Sequence, residues 1–543
     1  MMREVQSWSI CLVAGLLLLG CKPSTADKNS GSSTTPRSND LVLGQMHWIG
    51  KQQVWAATNT WKLKQIWAQP ESLLLETQIL ARLVTTLTSI PATQGGGASA
   101  AVATLRPMLE DLLQTESYWE LWGVSNKPTT LALAIHLPAE RTAFWRLHLT
   151  NLLDSLSAGS ASPPRVQWDH LEPWTILTLT RSDHPASSPG LPAHFRNKLA
   201  STTRPVTDSA TNYFLELQLE AGWLQERWGI PALPPLESLH FGMFGAGETV
   251  KTRGAATFAR PLELPLEAWN IPSNSIGQPL LSFSAGRGFG PYLAAASFWR
   301  QRRLGAAPNQ IFFWSLDSAP WLHFFSTQSS NAEPQFLALK DFLLEEVNPE
   351  LMSNRLGSFQ WVTNADQVTW RGVPFCNPTV TRSGAMLQGG FVAPTPPHRT
   401  LPVEFIQKLT TATNLVYYDW ESSGPQVANW LQIAQLMRLA FSRAQLAHTN
   451  AAALWLQMLH TNLAFCATSI SLESPRTLAF ARSSTIGFSS TELQVLADWF
   501  DSPSFPRGLY TFVTPRKTLS RRPARASQPS PARPQSRPSA SPK

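Results

Sequence analysis

Apolar residues recur at helical spacing in several parts of this chain. After Pro70, the residues Leu75, Ile79, Leu83 and Leu87 follow one another at intervals of four, which places them on one face of a helix. Pro425 is suited to the first turn of a later helix, because proline at that position sacrifices no intrahelical hydrogen bond. The pattern predicts helices over Glu71–Leu87, Ala100–Leu113, Glu140–Leu156, Gln426–Phe441, Asn450–Leu463 and Thr491–Phe500.

Shorter runs rich in β-branched and aromatic residues predict strands. Gly245 and Gly247 separate two of these runs, which is typical of a hairpin. The predicted strands are Tyr118–Val124, Thr130–Leu137, Trp174–Arg181, Tyr213–Leu219, Leu239–Phe244, Thr249–Phe258, Phe359–Val362, Val368–Arg371, Thr379–Val392, Phe465–Leu472 and Thr477–Phe488. Runs of helices and hairpins without strict alternation indicate an α+β fold, with mainly antiparallel sheets and packed helices.

The length of the chain predicts several lobes. A chain of 543 residues is too long for one compact core. We place one α+β lobe at 41–208 and a second at 209–515, with a further break near 394–402. A helix pair followed by a hairpin occurs at both 71–137 and 426–488, which is compatible with a divergent duplication, although no residues align.

The formal net charge of +8 is located at the C-terminus. Residues 516–543 hold eight Lys and Arg with six Pro and no acidic residue, so the rest of the chain is neutral. This gives no indication of a basic groove for nucleic acid in the folded part. The composition predicts a disordered tail. It either binds an anionic envelope polymer by its charge or only increases solubility.

The N-terminus has the organisation of a secretion signal. Arg3 precedes an uncharged run from Ile10 to Leu19, and Gly20 and Cys21 follow. About ten apolar residues suit a signal-peptide core, whereas a spanning helix needs about 20. The quartet Leu-Leu-Gly-Cys that ends at Cys21 resembles the lipobox of bacterial lipoproteins.

The resemblance implies cleavage before Cys21 and acylation of its thiol and its new amino group. Several buried acyl chains would attach the protein stably to a membrane. Residues 22–40 lack an apolar pattern and predict a flexible tether. In the family, an acidic residue after the cysteine is associated with retention in the inner membrane. Lys22 stands there, so we expect a periplasmic-side anchor in the outer rather than the inner membrane.

Two cysteines remain after the signal, Cys376 and Cys466. Export into an oxidising compartment would permit a disulfide between them. Each lies in an apolar stretch, where a lone thiol also serves as a small core residue. The sequence leaves both interpretations open.

One segment resembles a dinucleotide-binding turn. An apolar run from Leu280 leads to Gly286 and Gly288, a helix-like run follows at Tyr292–Arg303, and a second apolar run ends before Asp317. Pro291 occupies the place of the third glycine, and an exported protein would rarely meet such a cofactor. We therefore interpret the glycines as a strand-to-helix turn and predict no cofactor.

Other catalytic signatures are missing from the sequence. It contains no H-E-x-x-H, C-x-x-C or G-x-S-x-G motif, and its 11 His are scattered. The acidic pairs Glu110–Asp111 and Glu345–Glu346 lie on predicted helices, where adjacent side chains do not face one another. We expect them to be solvated, and we assign no metal ligand or catalytic residue.

The 22 Trp are the last feature of the sequence that could indicate a function. Exposed Trp can stack on sugars, but Trp314 and Trp321 lie among several Phe, which favours a core position. The sequence thus predicts an exported, lipid-anchored envelope protein and favours a non-catalytic binding or scaffold role over an enzymatic one. The alternative is a glycan-binding or glycan-processing protein with Trp platforms. The ligand and the oligomeric state stay open.

Overall fold

The structure is a computed structural model. It describes residues 41–89, 98–124, 127–157, 165–180, 193–202, 213–220, 234–296, 299–300, 305–317, 323–329, 331–372, 377–390, 401–441, 451–502 and 505–506. The predicted anchor at Cys21, the tether at 22–40, Cys376 and the basic tail at 516–543 lie outside these ranges. So does the position near 208 where the sequence analysis divides the lobes.

The elements alternate irregularly along the chain. The strands are β1 (Leu41–Trp48), β2 (Ser117–Val124), β3 (Lys127–His136), β4 (Arg165–Leu171), β5 (Trp174–Thr180), β6 (Leu215–Glu220), β7 (Leu236–Ala246), β8 (Thr249–Phe258), β9 (Leu280–Arg287), β10 (Gln310–Leu316), β11 (His323–Gln328), β12 (Ser358–Val362), β13 (Gln367–Arg371), β14 (Thr379–Ser383), β15 (Met386–Gly390), β16 (Leu415–Ser422), β17 (Phe465–Ser474) and β18 (Thr477–Ser484).

The helices are α1 (Lys51–Ala56), α2 (Trp61–Trp67), α3 (Pro70–Ser89), α4 (Ala98–Gln114), α5 (Ala139–Ser157), α6 (Ala193–Thr202), α7 (Gly290–Ala295), α8 (Ala332–Asp341), α9 (Asn348–Ser353), α10 (Val403–Thr411), α11 (Ser423–Phe441), α12 (Ala451–Asn462) and α13 (Ser490–Asp501). Within the described ranges, none of these helices combines the length and the apolar character needed to span a bilayer.

All the described strands join one open, antiparallel sheet of 18 strands. Its spatial order is β4-β5-β3-β2-β1-β6-β7-β8-β18-β17-β16-β9-β10-β11-β15-β14-β13-β12. The predicted α+β class with antiparallel pairing is confirmed. The division into lobes stays a prediction, although β6 from the second predicted lobe pairs with β1 from the first.

Two neighbouring sections of the sheet have the same organisation. In one, β1, the helix pair α3–α4 and the hairpin β2–β3 lie beside the meander β6–β7–β8. In the other, β16, the pair α11–α12 and the hairpin β17–β18 lie beside β9–β10–β11. The sections meet where β8 pairs with β18. This matching order agrees with the repeat of a helix pair and a hairpin seen in the sequence.

One face of the sheet, here the front face, carries most of the helices. Met108 of α4 and Trp145 of α5 pack on Leu133 and Leu177 of the sheet. Val54 of α1 packs on Met243 of β7. Helices from the two ends of the chain then pack on each other, because Leu75 of α3 and residues of α11, α12 and α13 form one apolar cluster: Val427, Leu456, Leu459 and Leu493.

The opposite or back face carries α6 and α10. Phe195 of α6 packs on Tyr118, and Phe405 of α10 stacks on Phe283 with ring centroids 5.5 Å apart. Side chains of directly paired residues project from the same face of a sheet. Tyr118 belongs to a row of such pairs that crosses the sheet to the strands under α10, so both helices lie on one face. The row is Tyr118, His47, Glu216, Gly242, Arg253, Ala481, Ser469, Tyr418, Ala285 and Phe312. In its middle, Arg253 and Ala481 are exposed.

Side chains form hydrogen bonds with backbone groups of the strands at both edges of the sheet. At edge strand β12, the Asn348 side chain accepts from Phe359 N at 2.6 Å and donates to Phe359 O at 3.0 Å. At edge strand β4, Asp169 Oδ1 accepts from His170 N at 2.8 Å. Such contacts replace the hydrogen bonds that a further strand would make.

Candidate functional site

A cavity of about 820 Å³ lies where β2 begins and β3 ends. Helices α1, α4 and α5 contribute the other walls, and the turn between β4 and β5 contributes Pro173. A volume of this size is within the range of small-molecule sites. Its polar lining includes Gln52, Glu110, Gln114 and Glu116.

Glu116 connects three strands at one side of the cavity. Its Oε1 lies 2.8 Å from His47 Nε2 of β1, and its Oε2 lies 3.5 Å from His136 Nδ1 of β3. Gln53 of α1 donates to Oε2 at 2.9 Å. Both oxygens of Glu116 are therefore occupied by side chains of the protein itself.

The environment favours an ionised Glu116 and a neutral His136. Burial alone would raise the pKa of Glu116, but the hydrogen bonds from His47 and Gln53 and the nearby imidazoles outweigh it, so the pKa is lowered. Burial lowers the pKa of His136, against the opposing charge of Glu116. The Nε2 atom of His136 is buried without a hydrogen-bond partner, and the His136 ring packs on Trp174 at 4.0 Å.

Asp111 forms the opposite wall with Arg141. The Arg141 Nη2 atom donates to Asp111 Oδ2 at 2.6 Å, and Trp145 Nε1 donates to the same oxygen at 2.7 Å. The sequence analysis expected Asp111 to be solvated, and this is wrong, because α5 packs on α4 and covers it. Its neighbour Glu110 is half-exposed beside Arg106, as expected.

This arrangement suits binding better than acid–base chemistry. The carboxylates of Glu116 and Asp111 are already paired within the protein, while the amides of Gln52 and Gln114 face the cavity. In the described part of the chain, no group of three His, Cys, Asp or Glu has the geometry to hold a metal ion. The cavity can therefore offer hydrogen bonds to a polar ligand.

The glycine segment singled out in the sequence is a turn. Strands β9 and β10 pair antiparallel, with Phe283 opposite Trp314, whereas a dinucleotide unit requires parallel strands. Asp317 N donates to Pro279 O at 3.1 Å, so Asp317 lies at the other end of the strand pair from Gly286 and Gly288. The dinucleotide alternative is wrong, and the interpretation as a strand-to-helix turn into α7 is confirmed.

Most tryptophans with described side chains contribute to the core. Trp122, Trp145, Trp174, Trp314 and Trp499 are 1–6% exposed, and among the described tryptophans only Trp61 is largely exposed, at 45%. The core position predicted for Trp314 is confirmed, and Trp321 lies outside the described residues.

Cys466 is fully buried on β17, and its sulfur lies 3.9 Å from Thr468 Oγ1. Burial raises the pKa of its thiol. Because Cys376 lies outside the described residues, the disulfide between them stays a prediction, as does lipidation of Cys21.

The contacts of Glu116 were not predictable from local sequence. His47 is 69 positions away from it, and β1 was not predicted as a strand. The only local signal was that Glu116 immediately precedes an apolar strand, and surface carboxylates share this feature.

Comparison with known proteins gives little further information. No protein-family model and no curated protein matches the chain. Two crystal structures of TP0453, crystal forms III and IV, are similar to it at 10% and 14% identity. Each match covers 40% of this chain, and 77% and 78% of TP0453, with a TM-score of 0.19 in both cases. Similarity this weak gives no basis for transferring a fold or a function.

Proposed function

We propose that this protein is an exported, lipid-anchored protein of the bacterial cell envelope, which acts as a non-catalytic binding or scaffold protein. The observation that carries the proposal is the N-terminal sequence: an apolar run of signal-peptide length that ends in Gly20 and Cys21. Residues 22–40 would then connect the lipid to β1, the first described element. Lys22 favours the outer membrane over the inner.

Two structural features support a binding role. The sheet presents a wide back face, on which Glu216, Arg253 and Ser469 provide polar groups between α6 and α10. The cavity at Glu116 presents amides, while its two most buried carboxylates are neutralised by the protein itself. Both surfaces therefore suit polar partners.

The anchor can be tested by metabolic labelling with a clickable palmitate analogue in a bacterial host. We expect the wild-type chain to be labelled and to fractionate with membranes. Cys21→Ser removes the thiol that accepts the lipid, so we expect loss of more than nine-tenths of the label.

The matched control is Cys11→Ala, which removes the other cysteine of the same segment and should retain the label. Wild-type labelling of Cys21→Ser would contradict the proposal. So would equal loss of label from both variants, since that would trace the effect to the apolar run rather than to the acceptor.

A further inference from the structure

Three carboxylates and one guanidinium meet where helices α11 and α13 begin against the front face of the sheet. Asp419 and Glu421 project from β16, Arg482 from β18 and Glu492 from the first turn of α13. We call these four residues the carboxylate seam. The seam is separate from the cavity at Glu116.

Arg482 is fully engaged by one of the three acids. It donates to Glu492 from Nη1 at 2.5 Å and from Nη2 at 3.0 Å, and its Nε donates to Thr468 Oγ1 at 2.9 Å. Glu492 also completes a capping box, in which Ser489 N donates to it at 2.9 Å and Ser489 Oγ accepts from Glu492 N at 3.3 Å. The single cation of the seam is thus held by Glu492.

Glu421 contacts both helix N-termini through neutral groups only. It is 5% exposed. Its Oε1 accepts from Ser490 N at 2.6 Å and from Ser423 Oγ at 2.9 Å, and its Oε2 lies 2.6 Å from Ser490 Oγ. Ser423 opens α11 and Ser490 opens α13, so one side chain attaches both helices to β16.

The surroundings of Glu421 are short of positive charge. Among the described residues, Asp419 on its own strand is the charged group that acts on Glu421, and Cys466 on β17 lies opposite it. Arg482 on β18 and Glu492 on α13 act on Asp419 and Cys466. From the other packed elements, α11 presents Ser423, and β9 presents Ser282 opposite Glu421. Asp419 accepts from Ser284 Oγ at 2.6 Å, another neutral donor.

We propose that the carboxylate seam is a proton-dependent latch, in which protonated Glu421 holds α11 and α13 on the sheet and its ionisation loosens them. In the closed state Glu421 Oε2 accepts from Ser490 Oγ, and the carboxyl proton removes the charge that burial would otherwise leave uncompensated. When the proton leaves to solvent, a buried carboxylate remains without a cation, close to Asp419. Opening of the two helix N-termini then hydrates that charge.

The direction of the pH dependence follows from linkage. Burial, and then the charge of Asp419, raise the pKa of Glu421 from 4.5 to about 7 despite the hydrogen bonds from Ser490 and Ser423. Burial also raises the pKa of Asp419. Between pH 4.5 and about 7, Glu421 binds more protons in the closed state than in the open state. The closed state is therefore destabilised relative to the open state as the pH rises. For Glu421 alone, the opening constant should rise about 70-fold from pH 5 to pH 8.

The test is hydrogen exchange of the full chain from pH 5 to pH 8, corrected for intrinsic exchange rates and read at the first turns of α11 and α13. Glu421→Gln keeps a neutral side chain of the same shape, so its opening constant should change less than about threefold over this range. The matched control is Glu404→Gln on α10, an exposed glutamate, which should retain the wild-type increase.

A wild-type opening constant that does not change with pH would overturn the latch, as would an undiminished increase in Glu421→Gln. A second measurement is infrared spectroscopy: the wild-type chain should show at pH 6 the C=O stretch of a protonated carboxyl group, which weakens by pH 8, and Glu421→Gln should lack this change. Absence of that band at pH 6 would also overturn the proposal.

Discussion

The ring of Phe325 on β11 lies directly over Gly389 on the neighbouring strand β15. A Cβ atom at position 389 would lie 2.5 Å from Phe325 Cε1 and 2.9 Å from the Thr379 carbonyl oxygen, closer than real atoms approach. Glycine is required here because the aromatic ring of the cross-strand partner fills the space of its side chain.

We therefore expect Gly389→Ala to lower the free energy of unfolding by about 1–3 kcal/mol, because the ring or the strand must shift. Gly286→Ala on β9 is the matched control, since its nearest neighbours would be 3.7 Å away. Urea unfolding followed by circular dichroism measures both. Equal stability of the two variants would show that Phe325 moves aside without cost.

At the scale of single residues, the sequence predicts whether a side chain is buried better than it predicts which residues that side chain contacts. The apolar neighbours of Cys466 correctly indicate burial, and the Phe residues around Trp314 do the same. The contacts of Glu116 and Glu421 depend on strands and helices that are distant in sequence. Ser490, which donates to Glu421, is 69 positions beyond it, and no local pattern encodes that distance.

At the scale of elements, helices α4 and α5 are joined by a polar contact beside the cavity. The Asp111 carboxylate receives hydrogen bonds from Arg141 and Trp145. Trp145 is 2% exposed, so its N–H would lose its hydrogen-bond acceptor between the packed helices if Asp111 were removed. A buried donor without a partner is costly.

Asp111→Ala should therefore lower the free energy of unfolding by about 2 kcal/mol. Glu110→Ala, one position earlier on the same helix, breaks only a half-exposed pair with Arg106, and should cost less than about 0.5 kcal/mol. Thermal and urea unfolding compare the two. If the Glu110 variant proved the less stable, the contacts of α5 with Asp111 would not stabilise the fold as described.

Long amphipathic helices were predictable, whereas short and irregular strands were not. The predicted Glu71–Leu87 and Glu140–Leu156 lie within α3 and α5, because a helical stripe of apolar residues is unambiguous over several turns. Strand β1 was missed, since a bulge near Gly44 interrupts its alternation. The predicted single strand Thr379–Val392 is the hairpin β14–β15, which turns at Gly384 with φ +58°.

At the scale of the whole molecule, one sheet connects strands from the first and the last parts of the described chain. Strand β1 pairs with β2 on one side and with β6 on the other, and β8 pairs with β18. Helix α3 shares an apolar cluster with α12 and α13. Fold class was predictable from the order of elements, but a sheet of 18 strands was not, because strand neighbours are set by tertiary pairing.

This connectivity predicts that residues 41–208 do not fold alone. Without β6, strand β1 becomes an unpaired edge, and α3 loses the helices that cover Leu75. We expect residues 41–208, expressed separately, to exchange their amide protons rapidly and to aggregate, whereas residues 41–515 unfold in one transition. Protected amides in the isolated segment would instead support two independent lobes.

If the proposed lipid anchor holds several molecules in one membrane, the side chains of Asn348 and Asp169 at the two sheet edges have a further consequence. Anchoring in two dimensions raises the local concentration of neighbours, and exposed strand edges then favour chain growth of the kind that produces amyloid. Asn348 occupies both backbone groups of Phe359, and Asp169 occupies the amide of His170. Each edge of the sheet that the described residues form thus ends in a side chain that acts as a chain stopper does in polymer growth.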